Sequence, residues 1–267
     1  MTIDELRREP HLSASAINDY MDCSLLYKLS RIDKKEPEFI SESLAFGSVI
    51  HEIIALYQIH RKGGSNFTQE NMLSTFEYYW QTKVRSSKNI RFAKKDYHTM
   101  MVEGKKLLSL YFNYMMEDTF KVVAVEMPFR FTVEGVGWPV IGIIDLLQED
   151  ERGNIVISDI KTGRQSFDND KIDKNLQLTI YQMALKANGY HDRDILLRLD
   201  TLIKTKEPKF EPYYTSRTEG DEKRAVIKIR SVWQGIKKGV FIPNDTSWKC
   251  RECAYKTYCN DWFKEGT

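Results

Sequence analysis

The sequence predicts an α/β fold in which helices flank a mixed central sheet. Apolar residues recur at helical spacing through most of the first 117 residues. Three apolar or alternating runs follow between 122 and 163, parted by the turns EGVG and EDERGN. Helical periodicity then returns at 174–188 before a fourth apolar run at 195–205. With 267 residues, 42% of them hydrophobic and 12% aromatic, the chain can build one large core or two small ones. The 40 basic and 38 acidic residues nearly cancel to +2, which excludes a polyelectrolyte tail protein and gives no global signature of nucleic-acid binding. No apolar run approaches the ~20 residues of a membrane helix. The opening MTIDELRREP has no apolar stretch of the secretory kind. A soluble, cytoplasmic protein without a membrane partner is expected.

Taken in order, residues 13–29 read as one helix, with Ser13 or Ser15 as N-cap and Ile17, Tyr20, Leu25 and Leu29 on its buried side. A second helix at 43–60 presents Leu44, Ile50, Ile53, Ile54 and Tyr57, and Gly63-Gly64 ends it. Helices at about 69–84 and 96–117 enclose a basic connector with Lys83, Arg85, Lys88, Arg91, Lys94 and Lys95. Strands are predicted at 122–135, 138–148 and 155–163; two successive hairpins make them an antiparallel meander. The helix at 174–188 stops at Gly189, a fourth strand fills 195–205, and 222–238 is helical.

The chemistry concentrates on the meander. Side chains at i and i+2 of a strand share a face, so Asp159 and Lys161 point together while Ile160 enters the opposite, apolar layer. Should the hairpin register set Asp145 beside Asp159, two carboxylates and an ammonium converge. Such a pair repels unless a hard cation lies between the acids, and oxygen ligands suit Mg²⁺ or Mn²⁺. The bland reading of the same residues is a strand end and a surface ion pair. His51 interrupts an apolar helical face, either as a hydrogen-bonded core residue or as a ligand. Gln177 and Tyr181, four apart on a helix, share a face.

Cysteines give the second signal. Cys23 stands alone, whereas Cys250, Cys253 and Cys259 form C-x2-C-x5-C. Trp248, Lys249, Arg251 and Lys256 alternate with them, and the expected effect of the cations is to lower the thiol pKa values. Four thiolates fit either tetrahedral zinc or a cubane iron–sulfur cluster, and spacing does not choose between them.

The ordered set of an early Cys, a helical His, GIID, SDIKTG, QLTIY and C-x2-C-x5-C resembles the PD-(D/E)xK nuclease superfamily. Within it, the set is similar to the RecB-type branch of CRISPR-associated exonucleases and AddB-type nuclease domains. The opening LSASAINDYMDCSLLYKL also resembles the S-x-S-x-hydrophobic-x-x-Y-x-x-C entry helix of that branch, and the resemblance runs from about residue 12 to 260. It implies a restriction-endonuclease-like core in a single nuclease domain over 1–267, with a helical insertion at 65–118. His51, Asp145, Asp159 and the carbonyl of Ile160 would bind Mg²⁺ or Mn²⁺. Lys161 would orient and activate water, and Gln177 and Tyr181 would lie near the scissile phosphate. Cys23, paired with the 248–260 segment through Cys250, Cys253 and Cys259, would hold a [4Fe-4S] cluster that staples the terminal regions. Glu126 falls on the first strand in a structural or supporting role. Two positions depart from the common pattern: Asp159 replaces the frequent Glu, and Ser24 stands where many relatives have proline. Neither removes a catalytic group.

The implied activity is metal-dependent hydrolysis of DNA, single-stranded or with single-stranded ends, by an exonuclease of repair, recombination or CRISPR spacer acquisition. Products would carry a 5′-phosphate and a 3′-hydroxyl. Lys204, Lys206 and Lys209, with the connector at 83–95, are candidates to track phosphates or are plain solvated surface. No G-x-x-x-x-G-K-[ST] is present, so a helicase or CRISPR integrase partner would be a separate chain. The rival reading is a non-catalytic or partner-activated DNA-binding subunit of such a complex. Loss of an acid or of the lysine would favour it, and none is lost.

Overall fold

The computed structural model describes residues 2–87 and 89–265. Lys88 of the basic connector lies outside them. Helices α1 (Ile3–Leu6), α2 (Ala14–Asp22) and α3 (Ser24–Tyr27) open the chain. They are followed by β1 (Ile40–Ser41), α4 (Glu42–Lys62), α5 (Gln69–Ser86), β2 (Ile90–Arg91) and α6 (Tyr97–Glu117). Strands β3 (Lys121–Phe131), β4 (Val140–Glu149) and β5 (Ile155–Gly163) form the predicted meander. Then come α7 (Asn169–Asp173), α8 (Leu176–Leu185), β6 (Ile195–Ile203), β7 (Lys209–Thr215), α9 (Glu219–Lys237) and α10 (Lys256–Glu265).

The five-stranded sheet has the order β3-β4-β5-β6-β7 and is antiparallel except between β5 and β6. That parallel pair is joined through α7 and α8, the helical crossover that parallel neighbours need. The mixed sheet flanked by helices is therefore as expected. Alternation along β5 distributes its side chains between two cores. Ile155 and Ile157 pack with α2, α8 and α9, whereas Ile160 joins Phe46, Ile50, Phe76 and Trp80 of the α4–α6 layer.

Two elements differ from expectation. The helix predicted over 13–29 breaks at Cys23, whose backbone is extended (φ −161°, ψ 100°). The break is held from outside: Ser24 Oγ exchanges hydrogen bonds with the backbone of Ile242, and the Asn244 N–H donates to Cys23 Sγ at 3.4 Å. The chain then continues through α3 into a π-helical turn over 28–32. Strand β7 was not predicted. It is an edge strand containing Pro212, and an edge is where a residue without an N–H donor is tolerated. Among the described residues no helix is long and apolar enough to cross a membrane.

Candidate active site

The site lies where the sheet forks. Ladder pairing between β4 and β5 runs only from Glu149↔Ile155 to Leu146↔Ser158, so Asp145 and Asp159 occupy the next position on each strand. The edge of β4 that β5 leaves unpaired is taken at Val140 by a bridge to Leu12. At the fork Asp145 Oδ2 accepts the Ile160 N–H at 2.8 Å, so a carboxylate takes a backbone donor that β4 no longer pairs. The register condition set by the sequence is met, and Asp145, Asp159 and Lys161 converge.

Helices from both layers complete the cluster. His51 comes from α4, its Nδ1 3.6 Å from Asp145 Oδ2. Tyr181 comes from α8; its hydroxyl donates to Asp159 Oδ1 at 3.5 Å and accepts from Gln177 Nε2 at 2.6 Å. Lys161 Nζ donates to Asp159 Oδ1 at 3.0 Å. It also stands 3.0 Å from Oδ2 as an ion pair, but without hydrogen-bond alignment, so that buried oxygen is left as an open acceptor.

Burial sets the protonation states. Asp145 is pushed up to about 7, by burial first and then by the Asp159 charge. Burial, then Lys161, holds His51 below its ordinary value, against Asp159 and a hydrogen bond to the Ile160 backbone, so the ring is neutral at pH 7. Burial works to lower Lys161, but the charges of Asp159 and Asp145 outweigh it, and the group stays an ammonium. Tyr181 is raised by burial and by the same two acids, and is a neutral donor.

A neutral imidazole, two close carboxylates and an open buried oxygen fit a hard divalent cation. Among the described residues no three His, Cys, Asp or Glu side chains already stand at metal-cage spacing. The charge of Asp159 adds to what raises Asp145, so the two acids repel each other at the fork. Glu126 also reaches this region. It lines a cavity of about 10 Å³, room for roughly one water, with His51 and Asp145, and its backbone is left-handed (φ 47°) within β3.

The four cysteines line one cavity of 860 Å³ between the α2–α3 break and the C-terminal segment. At Cys253 and Cys259 the shift runs opposite to the expected lowering. Burial raises Cys253 and Cys259, and neighbouring cysteines add to it. Lys249 pairs with Asp22. Three of the connector cations are engaged: Lys94 pairs with Glu252 at 2.5 Å, Lys95 with Glu103, and Arg91 lies over the Phe39 ring. Lys204 packs over the Phe46 ring, and burial lowers its pKa.

Sequence reasoning missed two groups. Arg198 is wholly buried on β6, reaching Asp200 at 3.0 Å, Asp118 at 3.1 Å and Gln148 at 2.9 Å. It braces the sheet behind Ile160, which pairs with Asp200 in the ladder. Arg7 and Arg31 line the cleft in front of Asp145 and Lys161. For these the S-x-S entry segment was the available signal, because it runs along that cleft.

The profile of the PD-(D/E)XK nuclease superfamily matches residues 11–260, and the chain belongs to that superfamily. It is therefore a nuclease, of a superfamily whose members generally use divalent metals. Among solved structures, a presumed exonuclease from Eubacterium rectale is 12% identical, with a TM-score of 0.56 over 91% of this chain and 87% of that one. That likeness shows the fold. SSO0001 aligns over 91% of this chain and 93% of its own at 14% identity, with a TM-score of 0.39, too low to bear on the fold. No curated protein matches.

Proposed function

We propose that this nuclease is a divalent-metal-dependent deoxyribonuclease acting as an exonuclease through His51, Asp145, Asp159 and Lys161. The supporting observation is the convergence of two acids, a neutral histidine and an ammonium at one fork, with a buried Asp159 oxygen left open. His51, Asp145, Asp159 and the Ile160 carbonyl would hold Mg²⁺ or Mn²⁺. When bound, such a cation supplies Lewis acidity to a phosphate oxygen and lowers the pKa of water.

The chain's own groups do the rest. Lys161, charged and tethered to Asp159, donates a hydrogen bond to the attacking water and shields the charge that grows on the phosphoryl oxygens. The Ile160 N–H fixes Asp145, and Tyr181, itself held by Gln177, fixes Asp159. Neither Gln177 nor Tyr181 needs to ionise for this. Residues 65–118, with α5, β2 and α6, are read as an insertion packed on α4 within a single nuclease domain. Cys23, Cys250, Cys253 and Cys259 are read as ligands of a [4Fe-4S] cluster tying the α2–α3 break to the C-terminal segment, in support of which all four line one cavity.

The test is cleavage of end-labelled single- and double-stranded DNA by anaerobically purified protein, with Mg²⁺ or Mn²⁺ and with chelator. Metal-dependent products that vanish in Lys161→Ala are expected, and the label pattern reports polarity. Folded protein inert with either metal would favour the non-catalytic or partner-activated DNA-binding subunit. Iron and sulfide analysis of the same preparation tests the cluster, and a zinc-only result would replace it.

A further inference from the structure

The cleft in front of the candidate site widens into a cavity of 280 Å³, to which Asp145 and Lys161 both contribute. Its lining is chemically divided. Arg7, Ser15 and Arg31 supply cationic and hydroxyl groups, while Phe129, Ile141 and Ile143 supply apolar surface. The bridge of Leu12 to Val140 anchors the N-terminal segment along the stretch of β4 that β5 does not pair. Arg31 arrives from the π-helical turn that follows the break at Cys23. It is steadied by Asp19 at 3.3 Å and by the Ser15 hydroxyl at 3.5 Å, yet its side chain stays 42% exposed. Arg7 has no acidic partner among the described residues. Cations in the lining thus outnumber its one carboxylate, Asp145, beside a site read as cutting a polyanion.

We infer that this cavity is a nucleotide subsite in which Arg7 and Arg31 hold the phosphate group next to the one cleaved. The inference rests on the nuclease reading above and specifies how that site grips its substrate. Guanidinium groups suit phosphate oxygens because their planar forks donate two parallel hydrogen bonds. The apolar surface of Phe129, Ile141 and Ile143 takes the sugar and base of the same nucleotide. The phosphate is either an internal diester or a terminal monoester, and the experiment separates the two.

Binding is measured by fluorescence anisotropy with a short labelled single-stranded oligodeoxynucleotide in chelator, where no metal-dependent cleavage occurs, across a salt series. One probe ends in a phosphate and the other in a hydroxyl. Arg7→Ala and Arg31→Ala are each expected to weaken binding about tenfold and to flatten the slope of log K against log salt by about 0.7. Arg7→Lys restores the slope, because it restores the charge. Lys223→Ala, on the exposed face of α9, leaves affinity and slope unchanged. A loss confined to the phosphate-ended probe identifies a monoester; an equal loss with both identifies a diester. Folded variants whose affinity and slope match the parent overturn the inference, as does a parent protein that binds neither probe. Should Arg7→Ala disturb α1, the Arg31 variant carries the test alone. Failure of the nuclease reading is seen separately, as binding without metal-dependent cleavage.

Discussion

Replacing Asp145 with asparagine should stabilise the metal-free protein while abolishing its activity. In the folded chain this carboxyl ionises only at about 7, against an ordinary 3.8, because it is buried and faces Asp159. Between those two pH values the unfolded chain is ionised here and the folded chain is not, so folding holds an extra proton and stability falls as pH rises. Above pH 7 the loss is complete. A rise from 3.8 to about 7 corresponds to about 4 kcal/mol. The side chain is 19% exposed, and solvent screening there leaves about 2–3 kcal/mol. Asparagine keeps an oxygen for the Ile160 N–H and removes the charge. In chelator at pH 8, Asp145→Asn should gain that amount, or about 5 °C in Tm for a chain of this size. At pH 4.5 the gain should shrink below ~1 kcal/mol. Mn²⁺ at a thousandfold excess over Kd should reverse the order, since ion bound only to the folded parent then stabilises it by about 4.1 kcal/mol. Thermal and urea unfolding at both pH values measure this. A variant no more stable than the parent at pH 8 would refute the argument that burial and repulsion oppose ionisation at the fork.

Further outcomes follow from the same geometry. Mn²⁺ affinity, measured by titration calorimetry, should be flat above pH ~8 and fall about tenfold per pH unit below about 7, because a proton on Asp145 competes with the ion; a flat profile down to pH 5 would sink this. Arg198→Met should lower stability by about 3 kcal/mol in urea, because it strands the buried Asp200 carboxylate and leaves Asp118 with Arg61 as its one arginine. A loss under ~1 kcal/mol would mean that the network does not brace the sheet.

Much of this was legible in the sequence because it is local. Period-two alternation places Asp159 and Lys161 on one face and Ile160 on the other, and the 3.6 period aligns Gln177 with Tyr181. What escaped depends on partners distant in the chain. Cys23 looks helical by its neighbours, and only the docking of Ile242 and Asn244 makes its backbone extended. The fork depends on how far β4 and β5 stay paired, which no periodicity encodes. Arg198 reads as a polar residue in an apolar strand until Asp118, eighty positions earlier, is found beside it. The pKa directions of Cys253 and Cys259 escape for a related reason: sequence shows the nearby lysines but not the burial that raises both thiols.

The most direct measurement is anomalous scattering from crystals soaked in Mn²⁺. The account predicts one peak at the β4–β5 fork, contacted by His51, Asp145, Asp159 and the Ile160 carbonyl, and absent from Asp145→Asn crystals. A peak elsewhere on the protein, or none at a concentration that supports cleavage, would contradict it.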